Sequence, residues 1–435
     1  MKVLGIIAEY NPFHNGHKYM LEKLKKDTGS DYVVCVMSGD FVQRGAPASI
    51  DKFKRAEMAL LCGVDLVLEL PVYYSTGSAE FFAGGAVSVL DGLGCIDYLG
   101  FGSESDDLNI ISEISEYLTE ESNEYKKLLK DSIKEGKNYA QARSDALSFL
   151  TGADSNALKS SNDILGIEYL KALKLQSSTI KPACTKRQGA DYHEKTIDIS
   201  TIMGQGNVYA SAEDLRFFLQ KQLEKINSMP SDLLNAEKEK IYNSLCTYMP
   251  KESVNILINS IFKDSLASKP ITADNFSELL QYKLLSEKNN GFYDYMDVSR
   301  ELSDKITKSL PSYTSYSDFI KVLKSKEITY THISRALLHI LLNIKKSNFM
   351  DYSKNKSSFI SYARIIGLNK NASPLLKKMH ENSSIPIISR LSDAQKSLSK
   401  IQFRLLAETI ASSNIYDLIS CKENISEYKK TIITI

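Results

Sequence analysis

The chain has 435 residues, too many for one ordinary hydrophobic core, so two or three structural units are expected. Hydrophobic residues make up 43% and charged residues 25%, which fits a globular chain and excludes a disordered or collagen-like one. The net charge of +1 hides an asymmetry: residues 301–435 hold 21 Lys and Arg against 11 Asp and Glu, while residues 1–300 hold 33 against 42. A basic second half on an acidic first half points to one catalytic unit and one that holds a polyanion.

Residues Val3–Ala8 form a short apolar run that stops at Glu9, shorter than a secretory core, and read as a buried first strand. Further β-rich runs at 32–37, 65–70 and 98–101 alternate with helical patterns at 16–26, 51–61 and 78–90. Continuous apolar strands spaced by helices predict a parallel sheet covered on both faces, an α/β, Rossmann-like, doubly wound class. From about Leu108 the pattern turns helical, with one more strand at 179–185, a glycine loop at 204–206 and a helix from about Ser211. Beyond about Asn227 only helical periodicity remains. The expected division is a catalytic domain over 1–225 and an all-α domain over 226–435. The six cysteines are scattered without a C-x-x-C pair, so reduced thiols are expected. No stretch approaches a membrane span, and the expected location is the cytoplasm.

In doubly wound sheets ligands bind beyond the carboxyl ends of the strands. The first strand runs straight into Glu9-Tyr10-Asn11-Pro12-Phe13-His14-Asn15-Gly16-His17-Lys18. That puts two histidines, three apart, at the start of the first helix, where free N–H groups and the helix dipole favour an anion. Gly16 permits close backbone approach to a phosphate. Two imidazole donors suit the charge that grows on an α-phosphate as pyrophosphate leaves, and Lys18 adds a cation. The rival readings of such a pair are metal ligation or surface histidines. No Cys, Asp or Glu completes a zinc set here, and no metal ligands are expected. The chain also lacks a P-loop and a complete dinucleotide fingerprint.

The segment resembles the H-x-G-H signature of the nucleotidyltransferase superfamily. More narrowly, the chain is similar to the tRNA-Met cytidine acetate ligase family. The pieces that carry this are residues 5–17, 37–45, Glu69-Leu70-Pro71, Phe101-Gly102-Ser103-Glu104, 161–166 and 187–193, with weaker landmarks at 335–339 and 362–367. The resemblance implies a two-step ligase. Acetate and ATP give acetyl-adenylate and pyrophosphate, and the N4 amine of the wobble cytidine of elongator tRNA-Met takes the acetyl group. It implies ATP contacts from Ile7, Ala8, Glu9, Tyr10, Asn11, Pro12, Phe13, His14, Asn15, Gly16, His17, Lys18, Tyr19 and Met20, and from Gly102, Asn162 and Arg187. Magnesium would accompany the ATP. His14, His17, Lys18 and Asp40 are the expected catalytic residues, and Asp40, Gln43 and Arg44 are expected to face acetate or cytidine. A loop-structuring role is the rival for Asp40, and an N-cap role for Asn162. The family usually carries a Thr where this chain has Glu213, within Ser211-Ala212-Glu213-Asp214-Leu215-Arg216, which leaves the phosphate role of Ser211 and Arg216 open.

Residues 321–400 hold 15 basic and 4 acidic residues interleaved with aromatics, among them Lys346 near Phe349, Lys356 before Phe359, and Tyr362 near Arg364. Such a surface suits the phosphates and splayed bases of an anticodon loop. Two rivals stay open: a small-molecule adenylyltransferase or cytidylyltransferase of the same superfamily, and a non-catalytic helical RNA-binding protein.

Overall fold

A computed structural model describes residues 1–120, 122–137, 139–152, 160–188, 209–226, 234–262, 270–355, 357–420 and 426–435. The glycine loop at 204–206, the motif residues 189–193 and Lys356 lie outside the described residues.

The first half alternates as its hydrophobic pattern requires. Strand β1 (Val3–Ala8) leads to α1 (Asn15–Thr28), β2 (Tyr32–Ser38), a small hairpin of β3 (Phe41–Val42) and β4 (Ala46–Pro47), then α2 (Lys52–Leu61), β5 (Leu66–Leu70), α3 (Ala79–Gly92) and β6 (Tyr98–Ser103). Three helices over 108–151 follow, then α4 (Ser161–Leu175), β7 (Lys181–Lys186) and α5 (Ala212–Ile226). Strands β5, β2, β1, β6 and β7 lie side by side in that order, all parallel. Their central residues, such as Val33 to Met37 and Leu66 to Leu68, are fully buried because helices cover both faces.

The chain builds outward from β1 to β2 and β5, then returns to β1's other side with β6. The strand order therefore reverses between β1 and β6, and a crevice opens there at the carboxyl edge.

The second half is mostly helical. It includes α6 (Leu234–Tyr248), α7 (Lys251–Ile261) and α8 (Tyr330–Leu341). It also returns three strands to the same sheet: β8 (Ala363–Leu368), β9 (Ile387–Ile388) and, after the long α9 (Lys400–Ser420), β10 (Ile433–Thr434). Strand β8 pairs antiparallel with β5, and β9 and β10 pair parallel with β8. One apolar cluster runs from β2 and β5 through α3 to α8 and α9, so the core is continuous across residue 225. Helical periodicity dominated the sequence reading of this half because its strands are short and isolated among helices.

Buried charge marks the seam between the halves. Lys52 Nζ lies 2.6 Å from Glu69, 3.6 Å from Asp40 and against Glu427. Arg364 reaches Glu69 at 2.5 Å and Glu427 at 2.8 Å. Burial pushes the Glu427 carboxyl up, but Lys52 and Arg364 outweigh it and hold it down to about 2. Removing one member of such a network would leave an uncompensated buried charge.

No helix among the described residues is long and apolar enough to cross a membrane. The five described cysteines are free thiols.

Candidate active site

The site grows from the end of β1. Tyr10 takes a left-handed backbone (φ 48°), and the Asn11–Pro12 peptide is cis. The Asn11 side-chain oxygen accepts from the Ser49 N–H at 2.8 Å and from its hydroxyl at 2.7 Å. Phe13 is buried, and its ring packs 4.7 Å from Tyr10 and 5.5 Å from His17. This aromatic floor fixes where α1 begins.

His14 is the N-cap of α1. Its Nδ1 accepts from the Gly16 N–H at 3.1 Å, and the His14 N–H donates to His17 Nδ1 at 3.3 Å. The two rings stack at 3.7 Å with an interplanar angle of 24°. Burial pushes both imidazoles down, His14 to about 3, with Arg187 and Arg216 adding to the effect at His14, and His14 and Arg187 at His17. Both rings are therefore neutral near pH 7. Because each Nδ1 accepts, each proton must sit on Nε2. The pair presents two N–H donors without carrying positive charge. A side-chain carbon on Gly16 would meet the His14 ring at 3.0 Å, so glycine keeps this approach open.

Arg55, fully buried in α2, organises the strand ends. It donates to the carbonyls of Glu9 (2.6 Å), Ser38 (3.0 Å), Ile50 (3.1 Å) and Gly39. One guanidinium thus fixes where β1 and β2 leave the sheet. Arg216 donates to the Asn11 carbonyl at 2.7 Å and lies near Glu9, which brings α5 onto the histidine loop. Ser211 and Asp214 cap α5 through reciprocal bonds of 3.1 Å each. Glu213 is largely exposed and lies 3.7 Å from Arg44, so its charge has a cationic neighbour.

Across the crevice, Glu104 follows β6. It accepts from Asn162 at 2.6 Å and from the Asp163 N–H at 3.2 Å, and pairs with Arg187 at 3.2 Å. The adjacent Asp163 accepts from the Glu104 and Ser105 N–H groups, both at 3.1 Å, and so shapes this loop. Gly102 faces the Met20 sulfur; a side-chain carbon there would lie 3.6 Å from it. Gly102, Asn162 and Arg187 therefore gather beside the start of α1.

Other expected site residues are placed differently. Asp40 is buried beneath the hairpin, accepts from the Lys52 N–H at 2.9 Å and belongs to the charged seam. Its neighbours are those of the loop-structuring alternative. The Gln43 N–H donates to Glu9 at 3.0 Å, which ties the hairpin to the end of β1. Asn15 donates to the Thr247 carbonyl at 3.0 Å in α6, and Tyr19 packs edge-on 6.1 Å from Tyr209. The charge of Lys18 is felt at Cys62, beyond the end of α2, rather than among the groups that perturb the histidines. Ile7 and Ala8 are half-buried at the end of β1.

Sequence reasoning missed Arg55, Lys52 and Asp163. A signal existed for the first two: they are charges on the otherwise apolar face of α2, whose buried neighbours include Phe53, Ala56 and Ala59. Glu69 likewise interrupts a fully buried strand. Among the described residues no group of three or more His, Cys, Asp or Glu could hold a metal ion.

A switch-point crevice with a histidine-capped helix beside it defines a nucleotidyltransferase class, and the model of the HIGH Nucleotidyl Transferase family matches residues 1–431. The chain is 39% identical to the tRNA(Met) cytidine acetate ligase of Caldanaerobacter subterraneus subsp. tengcongensis over 96% of its own length and 95% of the relative's. It is 36% identical to that of Acetivibrio thermocellus, over 98% and 96%. The crystal structure of Thermotoga maritima TmcAL bound with alpha-thio ATP superposes with a TM-score of 0.83 at 30% identity, covering 100% of this chain and 99% of that one. This chain belongs to the tRNA(Met) cytidine acetate ligase family.

Proposed function

We propose that this chain activates acetate with ATP and transfers the acetyl group to the N4 amine of a cytidine in tRNA(Met). The observation that carries the first step is the neutral, stacked His14–His17 pair with both Nε2–H groups available at the N-terminus of α1. An acetate oxygen attacks the α-phosphorus, and the bond to the β-phosphate bridging oxygen breaks. The two Nε2–H donors stabilise the growing charge on the α-phosphate. Their neutrality matters, because they hold the phosphate by directed hydrogen bonds in a dry site. Arg187 and Arg216 supply positive charge near His14, and Arg187 near His17 as well. Gly16 and Gly102 leave room for the nucleotide, and Asn162 and Glu104 orient Arg187. Magnesium would accompany the triphosphate as its counter-ion, and no ligand set among the described residues would hold it independently.

In the second step the cytidine N4 attacks the acetyl carbonyl carbon, the bond to the phosphate oxygen breaks, AMP leaves and the amine gives up a proton. The names of the curated relatives and the basic second half support a tRNA as the acceptor. Holding the three reactants together supplies the orientation that acetate alone lacks.

Exchange of labelled pyrophosphate into ATP tests the first step. It should require acetate and fall by about 10²-fold or more in His17→Ala, the usual cost of one lost oxyanion donor. Acetate-independent exchange, or equal exchange in the variant, would sink the assignment.

A further inference from the structure

The charged seam opens outward into a cleft of about 510 Å³ between β8, the segment after β9 and the segment leading into β10. Its lining includes Arg364, Arg390, Lys429 and Lys430, and no acidic residue among those described. Arg364 and Lys430 are held from behind: Arg364 by Glu69 and Glu427, and Lys430 by Asp417 at 2.6 Å. Arg390 and Lys429 are exposed and make no ion pair among the described residues. Tyr428, 56% exposed, lines the same cleft beside Lys429, and Phe53 forms part of the wall.

The sheet register places this cleft relative to the histidines. Arg364 sits opposite Glu69, Glu69 opposite Met37, and Met37 opposite Ala8. These four residues form one row across β8, β5, β2 and β1. Three interstrand steps put Arg364 about 14 Å from the last residue of β1. Phe53, in the first turn of α2, lies just beyond the hairpin at the same carboxyl edge. Arg364 therefore lies on the edge of the sheet from which the histidine loop leaves, and the rest of the cleft extends from it along the outer side of β8.

We infer that this cleft binds the sugar–phosphate backbone of single-stranded RNA flanking the nucleotide delivered to the histidine pair. The inference rests on the RNA acceptor proposed above. Two cations free to meet phosphates, two more buttressed from behind, and an exposed aromatic ring are the combination that tracks a single strand. The volume is that of a small-ligand pocket, more than one inorganic phosphate needs. Tyr428 offers a face on which a base can stack.

The test uses the full chain and the double variant Arg390→Ala/Lys429→Ala, with Tyr428→Ala alongside. Direct binding of unmodified tRNA is measured across a salt series, and acetate-dependent pyrophosphate exchange, which needs no RNA, reports on the fold and the nucleotide site. The double variant should bind tRNA roughly tenfold more weakly at low salt, and its log–log salt slope should shrink by about 1.4, the value for two single-strand phosphate contacts. Tyr428→Ala should weaken binding without changing that slope. Wild-type exchange should persist in all variants. Unchanged tRNA affinity and slope would overturn the inference. So would a parallel fall in exchange, which would assign the cleft to the nucleotide or the fold. Saturable binding of inorganic phosphate that the double variant loses, with RNA binding intact, would assign it to a free anion and overturn it as well. Failure of the wild-type enzyme to acetylate tRNA is a separate result, bearing on the acceptor rather than on the cleft.

Discussion

His14 and His17 stack against each other in a buried place, and that burial decides their charge, with Arg187 adding to it at both rings and Arg216 at His14. An ordinary histidine changes charge near pH 6.5. These two stay neutral well below that, so the donor pair is intact throughout the neutral range. We predict that acetate-dependent exchange shows no loss governed by a group near 6.5 as pH falls from 7.5 to 5.5; a sigmoidal loss centred there, absent from His14→Gln, would contradict the neutral pair. The same displacement acts on stability with a defined sign. Below about 6.5 the unfolded histidines take up protons that the folded ones refuse, His14 until about pH 3, so stability falls as pH drops through that window. His14→Gln should flatten this part of a melting-temperature profile.

Between the elements, the organising contacts come from helices that the motif does not contain. Arg55→Met removes the donors to three carbonyls at the ends of β1 and β2 and to that of Ile50 before α2, and should cost about 3 kcal/mol or more, because buried acceptors are left unpaired. Thermal unfolding with exchange assays should show both fall together; full exchange in a destabilised Arg55→Met would show that the strand ends do not depend on it. The hairpin carrying Gln43 and Arg44 is docked from its other side by α8. Ser334 donates to the Gly45 carbonyl at 2.8 Å, and buried His339 lies 3.1 Å from the Thr76 carbonyl. Gly45 has φ 76°, and a side chain there would overlap the Arg335 backbone. Gly45→Ala should therefore displace the hairpin and lower exchange several-fold while most of the fold survives, since the substitution strains one turn only; unchanged exchange would free the hairpin of that role. These relations explain what the sequence could and could not show. The β1 end, the histidine pair and the alternation of β and α elements were legible because each is a local pattern. The Asn162–Glu104–Arg187 association was not, because its members are 25 to 83 positions apart and meet only when β6 and β7 pair. The sequence shows Asp40 only as a loop residue, because its partner Lys52 lies on the buried face of a helix.

At the scale of the molecule, the two halves share one sheet and one buried charge network. Cutting the chain after residue 225 would strip β8 from β5 and leave Lys52, Glu69 and Asp40 without Arg364 and Glu427. The truncated chain should fail to give a cooperative melt or any exchange, because unpaired buried charges cost several kcal/mol each; a stable, fully exchanging fragment would contradict that dependence and favour a small-molecule transferase. The second half was expected to be wholly helical, and its helices dominate, but its short strands are what join it to the catalytic edge. In the proposed reaction an acetate oxygen attacks the α-phosphate and the acetyl group then passes to cytidine. Incubation of the enzyme with ATP, tRNA(Met) and acetate labelled with ¹⁸O at both oxygens tests it in one measurement by mass spectrometry. One labelled oxygen is expected in AMP and the other in the acetyl carbonyl of N4-acetylcytidine; unlabelled AMP beside labelled acetylcytidine would contradict attack of acetate on the α-phosphate.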